Sequence, residues 1–224
     1  EISDRFEILF VPAGYVFSIW GVIYLGLIAY AIFQVLPSQA QNPRLRGIGY
    51  IFILSCAANI AWLFLWHYEI FEYTLVAMLV LLISLIAIYL RLDIGRAEVS
   101  TAEKWAVNVP FSIYLGWISV ATIANASQLL YFLGWNGWGI SAATWAVIML
   151  AAGVVISILM SLTRADIAYS LVLVWAYIGI ARMQSDTPLV ATSALVGAGV
   201  ILVVLILVMF RKYRQQSAIQ PDPV

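Results

Sequence analysis

The chain is predicted to be an all-α, polytopic transmembrane bundle, and three observations carry that prediction. Of its 224 residues 64% are hydrophobic and only 10% charged, with a mean hydropathy of +1.01. A water-soluble domain cannot hide that much apolar surface. The apolar residues also fall in runs of about 20, enough for a helix to cross a hydrocarbon core of roughly 30 Å. Lipid cannot satisfy backbone N–H and C=O groups, so these runs must be helices.

Seven runs are expected to span, at 15–36, 47–66, 73–92, 109–132, 140–162, 165–183 and 189–210. The first opens on Pro12 to Gly26, an aromatic-rich approach to the membrane. The second carries the lone cysteine, Cys56, read as a small packing residue because a single thiol cannot close an internal disulfide. The third is aliphatic and lacks any acidic residue. The fourth begins beside Pro110. The fifth has a ridge of Gly153, Ser157 and Ser161. The sixth is the shortest and carries Tyr169, Trp175, Tyr177 and a terminal Arg182, with Asp166 and Thr163 read as its N-terminal cap. The seventh has Ser193 and Gly197, whose small side chains permit close helix contact. Short connections imply antiparallel neighbours in one bundle.

The basic residues give an orientation. Arg44, Arg46, Arg91, Arg96, Lys104, Arg164, Arg211, Lys212 and Arg214 fall on one side, whereas Arg5 and Arg182 fall on the other. The nine are expected to be cytoplasmic, with the 211–224 tail, in what is expected to be a bacterial plasma membrane. On the opposite side lie Glu69, Glu72 and the turn Gly134-Trp135-Asn136-Gly137-Trp138-Gly139, whose tryptophans suit an interfacial belt. A start at Glu1-Ile2-Ser3-Asp4, without Met or leader, leads us to expect a further helix upstream.

Three spans carry aromatic and amide stripes at helical spacing. They are Phe17, Trp20, Tyr24, Ile28 and Ala31; then Ser55, Asn59, Trp62 and Trp66; then Tyr114, Trp117, Ala121, Asn125 and Gln128. A buried, unpaired amide costs about 1–3 kcal/mol, so Asn59 and Asn125 should point inward. Facing stripes would wall a cavity of indoles and phenols with a few amide groups. That suits a planar, mostly apolar molecule with polar edges, such as a tetrapyrrole, a sterol-like lipid or a carotenoid. Taken singly, an aromatic near a span end is more often an anchor, and an amide more often an interhelical bond.

These residues carry a family resemblance. Pro12-Ala13-Gly14-Tyr15-Val16-Phe17 with Trp20 and Tyr24 resembles the Pro-x-x-x-x-Phe-x-x-x-Trp-x-x-x-Tyr helix of the TspO/MBR family, the translocator or tryptophan-rich sensory proteins, also called peripheral benzodiazepine receptors, with two residues in place of three between Phe17 and Trp20. Asn59-Ile60-Ala61-Trp62 resembles its Asn-x-x-Trp helix. Pro110, Trp117 and Ala121-Thr122-Ile123-Ala124-Asn125 resemble its last helix. The motifs cover residues 12–130, so 1–132 is expected to form a TspO/MBR-like region and 133–224 additional spans and a short tail. The resemblance implies a membrane protein that binds porphyrins, sterol-like lipids or drug-like aromatics among its helices. It also implies tetrapyrrole handling or sensing, with light-dependent porphyrin breakdown in some members. The two tryptophans tied to that breakdown map onto Trp20 and Trp117. The chain departs from the family pattern in its three added spans and in the seven-residue separation of Pro110 and Trp117.

The candidate ligand-binding set is therefore Phe17, Trp20, Tyr24, Asn59, Trp62, Trp66, Tyr114, Trp117 and Asn125, with no catalytic or metal-ligating residue assigned. No cofactor is required. A bound porphyrin, haem, chlorophyll or carotenoid fits the wall chemistry, and His67, the one histidine, is a candidate axial ligand against a reading as a solvated interface residue. One His and one Cys cannot supply a multi-ligand soft-metal site or a His-based triad. Zero formal net charge gives no reason to expect nucleic acid. The expected partners are membrane lipid and a hydrophobic small molecule, with a homodimer or membership of a larger, pigment-holding membrane complex also open. An ion-coupled pump is disfavoured because ionisable residues sit at span ends; an uncoupled lipid or pigment carrier stays open.

Overall fold

A computed structural model describes residues 8–219, with side chains as far as Gln215. The Glu1–Asp4 start, Arg5 and the end of the tail lie outside the described residues. Seven long helices follow in order: α1 Ile19–Gln34, α2 Gly49–His67, α3 Phe71–Arg91, α4 Val109–Phe132, α5 Ala142–Arg164, α6 Ile167–Met183 and α7 Pro188–Ile219. A tight helical turn, Gly14–Ser18, leads into α1. Six of these helices are long and apolar enough to span a membrane, and α6, with 17 residues, is the shorter seventh.

The helix ends follow their local chemistry. Ser141 accepts from Thr144 N at 3.2 Å and starts α5. Ala165, in the left-handed region at φ 49°, stops α5, and Asp166 immediately caps α6 by accepting from Tyr169 N at 3.1 Å. Thr163 takes no part in that cap, because its hydroxyl donates back to Leu159 O within α5. Gly95, at φ 85°, lies against the Arg164 carbonyl, where a Cβ would collide with backbone. Before α4 the chain forms a wide π turn, Lys104–Asn108. Pro110 has no N–H to close a regular turn, so the widened turn absorbs the defect at the helix entrance.

Of the six spanning-length helices α4 is the most buried, and it packs against α1, α3 and α6. α2 packs mainly on α3 and touches α1 and α4 through Phe52, while α5 and α7 flank α6. The small residues on α5 and α7 are used inside the bundle. Tyr177 of α6 inserts its ring between Gly153 and Gly197, and its hydroxyl donates to Leu150 O at 2.6 Å. Ser161 of α5 pairs with Ser170 of α6 at 3.0 Å.

The basic residues gather at one end of the bundle and tie its loops together. Arg44 pairs with buried Glu103 at 2.8 Å and donates to Leu92 O. Arg91 donates to Gly47 O, Arg96 donates to Thr163 O, and Arg164 pairs with Asp93. The same end holds a buried knot across three helices. Tyr89 of α3 and Ser112 of α4 both donate to Asp166 Oδ2, at 2.8 and 2.6 Å. At the other end Trp135 and Trp138 meet Trp145 at ring-centroid distances of 5.2 and 5.9 Å, and Trp145 Nε1 donates to Gly137 O.

Candidate functional site

The start of α1 is strapped to α6. Ala13 N donates to Gly179 O at 3.1 Å, and Trp175 Nε1 donates to Val16 O at 3.2 Å. Gly179 has no side chain because Pro12 and Val16 fill the space where a Cβ would stand. Further along α1, Gly26 sits directly against Pro110 of α4. These two anchors set α1 against α4 and bring its first rings onto Trp117.

Five of the candidate rings meet there. Phe17 and Trp20 each stand edge-on to Trp117, at 5.6 and 6.4 Å between ring centroids. Trp20 is also edge-on to Tyr114 at 6.0 Å and stacks on Tyr24 at 5.5 Å. Tyr114 and Trp117 are buried, Trp20 is half-buried, and Phe17 and Tyr24 are 39% and 41% exposed. The lower part of the α1 stripe does not follow. Ile28 and Ala31 face outward, and Tyr30 and Phe33 occupy the inner face instead. At about 100° per residue, Trp20, Tyr24, Ile28 and Ala31 all lie roughly 100–180° around α1 from its buried stripe of Ile19, Ile23, Tyr30 and Phe33, so only the rings long enough to reach Tyr114 and Trp117 join the site.

The α2 residues form a second group. Trp62 stacks on Trp66 at 5.3 Å, Trp66 is edge-on to Phe71 at 5.7 Å, and Phe71 reaches Phe132 at the end of α4. Ser55 and Asn59 are buried as expected, and Cys56 is half-buried. No ring contact joins Trp62 or Trp66 to Trp20 or Trp117 among the described residues. The sequence reading missed what closes the site at its basic end. Tyr30, Phe52 and Phe111, from α1, α2 and α4, meet edge-on at 4.9, 5.0 and 5.9 Å. An aromatic at position 30, one place from the small residue taken for the stripe, was the available signal.

That trio is a floor from which heights can be counted. α2 and α4 both rise from it toward Phe71, at about 1.5 Å per residue. Asn59 on α2 is then level with Ile118 on α4, Trp62 with Ala121, and Trp66 with Asn125. Counted this way, a wedge between the three helices would have Trp20, Tyr24 and Trp117 on one side and Asn59, Trp62 and Trp66 on the other.

The polar atoms of this wedge are the telling feature. Asn125 Nδ2 donates to Thr74 Oγ1 of α3 at 3.1 Å, an ordinary interhelix bond. Yet Asn59 Oδ1, Trp62 Nε1, Trp117 Nε1, Asn125 Oδ1 and Gln128 Nε2 are all buried without a hydrogen-bond partner in the chain. Buried polar groups in native proteins are satisfied in the great majority of cases. Two of these atoms lie on α2 and three on α4.

His67 stands apart from this wedge, exposed at the last turn of α2 and edge-on to Tyr68 at 5.2 Å. The Asp166 knot was also not foreseen, because Tyr89 and Ser112 are isolated weakly polar residues in apolar runs.

The family model described as TSPO-like protein matches residues 1–207. The chain belongs to the TSPO-like protein family. The match runs beyond the motif-bearing helices, through α5 and α6 and into α7, so the added spans of this TSPO-like chain fall within it. Comparisons with curated proteins and with solved structures find no match.

Proposed function

We propose that this TSPO-like membrane protein binds a planar, largely apolar ligand with polar edges, foremost a tetrapyrrole such as a porphyrin, in the wedge between α1, α2 and α4. The role is sensing or handling of that ligand. The observation that carries the reading is the set of five unpartnered buried polar atoms among converging indole and phenol rings. Ring faces supply stacking area. The donors Trp62 Nε1, Trp117 Nε1 and Gln128 Nε2 suit carboxylate or carbonyl edges, and the acceptors Asn59 Oδ1 and Asn125 Oδ1 suit pyrrole N–H groups. Haem, chlorophyll or a carotenoid would use the same walls, without His67 as a ligand. The basic end of the bundle supports a cytoplasmic C-terminal tail in a bacterial plasma membrane.

The test is tryptophan fluorescence of the purified full chain during titration with protoporphyrin IX. Saturable quenching is expected, weakened by Trp20→Phe and by Trp117→Phe. Saturable binding that neither substitution alters would move the site elsewhere. Light-driven loss of the porphyrin, if slowed by the same substitutions, would add the photochemistry implied by the family.

A further inference from the structure

A cavity of about 1100 Å³ opens between α1, α4 and α6, under the loop at Ile94–Val99 and the end of α7. Its walls are apolar, with Ile19 and Val22 from α1, Ile113 from α4, and Leu171 and Trp175 from α6. From Asp166 to Trp175 it follows α6 for about 14 Å at the helical rise. Its basic end is lined by Lys104, Arg164 and Lys212, flanked by the exposed rings of Trp105 and Tyr213. Exposed aromatics beside lysines mark the headgroup level of a membrane.

Three observations say what the groove would hold. Arg164 is taken up by Asp93, whereas Lys104 and Lys212 form no ion pair among the described residues. The one acid in the lining, Asp166, has both oxygens occupied by Tyr89, Ser112 and Tyr169. Asn108 lines the groove, is 8% exposed, and leaves its Oδ1 without a partner. The groove thus joins an apolar slot to two free cations and a buried hydrogen-bond acceptor.

We infer that this groove is a binding site for one anionic phospholipid whose headgroup carries a hydroxyl, of the phosphatidylglycerol type. The phosphate lies between Lys104 and Lys212, a headgroup hydroxyl donates to Asn108 Oδ1, and an acyl chain lies along Ile113 and Leu171 toward Trp175. The site is separate from the α1–α2–α4 wedge and does not depend on what the wedge binds.

The experiment is native mass spectrometry of the full chain, released from detergent with titrated phosphatidylglycerol or phosphatidylcholine. A cation at the membrane surface changes anionic-lipid affinity by about fivefold. Phosphatidylglycerol should therefore bind about 25-fold more tightly than phosphatidylcholine, and Lys104→Gln with Lys212→Gln should erase the difference. Leu171→Trp should obstruct the slot and weaken both lipids while leaving the charges in place. All three positions are exposed, so the fold is retained. Equal affinity for the two lipids, or phosphatidylglycerol binding unchanged in both variants, would overturn the proposal. Displacement of the lipid by glycerol phosphate at the same concentration would also overturn it, because the site would then be an anion site without a slot.

Discussion

Replacing Asn59 separates a ligand contact from a structural one. Asn59 Oδ1 is buried on α2 and accepts no hydrogen bond from the chain. Burying an unsatisfied acceptor costs about 1–3 kcal/mol, so Asn59→Leu should leave the free protein as stable as before or raise its stability within that range. The lost hydrogen bond to a ligand should cost about 0.5–1.5 kcal/mol, or roughly 2- to 12-fold in Kd. Asn125→Leu is the contrast. It removes the bond to Thr74 as well as a free acceptor, so its effect on free-protein stability should be lower than that of Asn59→Leu by about 0.6 kcal/mol, the average for interhelical bonds in membranes. Unfolding in mixed detergent gives the stability difference, and protoporphyrin quenching gives the affinity. If Asn59→Leu loses more than about 1 kcal/mol of stability while affinity stays unchanged, the amide is a helix-packing group and the reasoning fails.

Three other outcomes follow from the same geometry. Gly179→Val should push Pro12 and Val16 off α6 and displace Phe17 and Trp20, weakening porphyrin quenching more than it lowers the unfolding midpoint. Asp166→Ala uncaps α6 and strands the Tyr89 and Ser112 hydroxyls, so it should cost about 3 kcal/mol in unfolding titrations; a loss below about 1 kcal/mol would show the knot to be dispensable. With Cys56 replaced by Ser, a cysteine at Asn136 should react with a membrane-impermeant maleimide on intact cells, and one at Glu98 only after permeabilisation.

Much of the helical framework was legible because it rests on local rules. Apolar run length located six of the helices to within a few residues of both ends, and Asp166 announced the start of α6; α7 instead continues past the expected end at Phe210 to Ile219, because the polar residues after the apolar run are still good helix formers. Inward-facing Asn59 and Asn125, and the meeting of Trp20 with Trp117, could be read from helical spacing. What escaped depends on long-range geometry. The outward turn of Ile28 and Ala31 reflects which side of α1 faces the bundle, a stripe of Ile19, Ile23, Tyr30 and Phe33 that only the packed neighbours reveal. The floor of Tyr30, Phe52 and Phe111 requires knowing that α2 and α4 rise in parallel from one level. The Asp166 knot unites residues more than 50 positions apart, none of which belongs to a periodic pattern.

Photo-crosslinking with a diazirine-bearing porphyrin, mapped by peptide mass spectrometry on the full chain, reports most directly where a ligand sits. The account predicts label on residues 17–24, 59–66 and 114–125 together, competed away by unlabelled porphyrin. Label confined to Trp135–Trp145, or to the groove around Lys104 and Leu171, would contradict it.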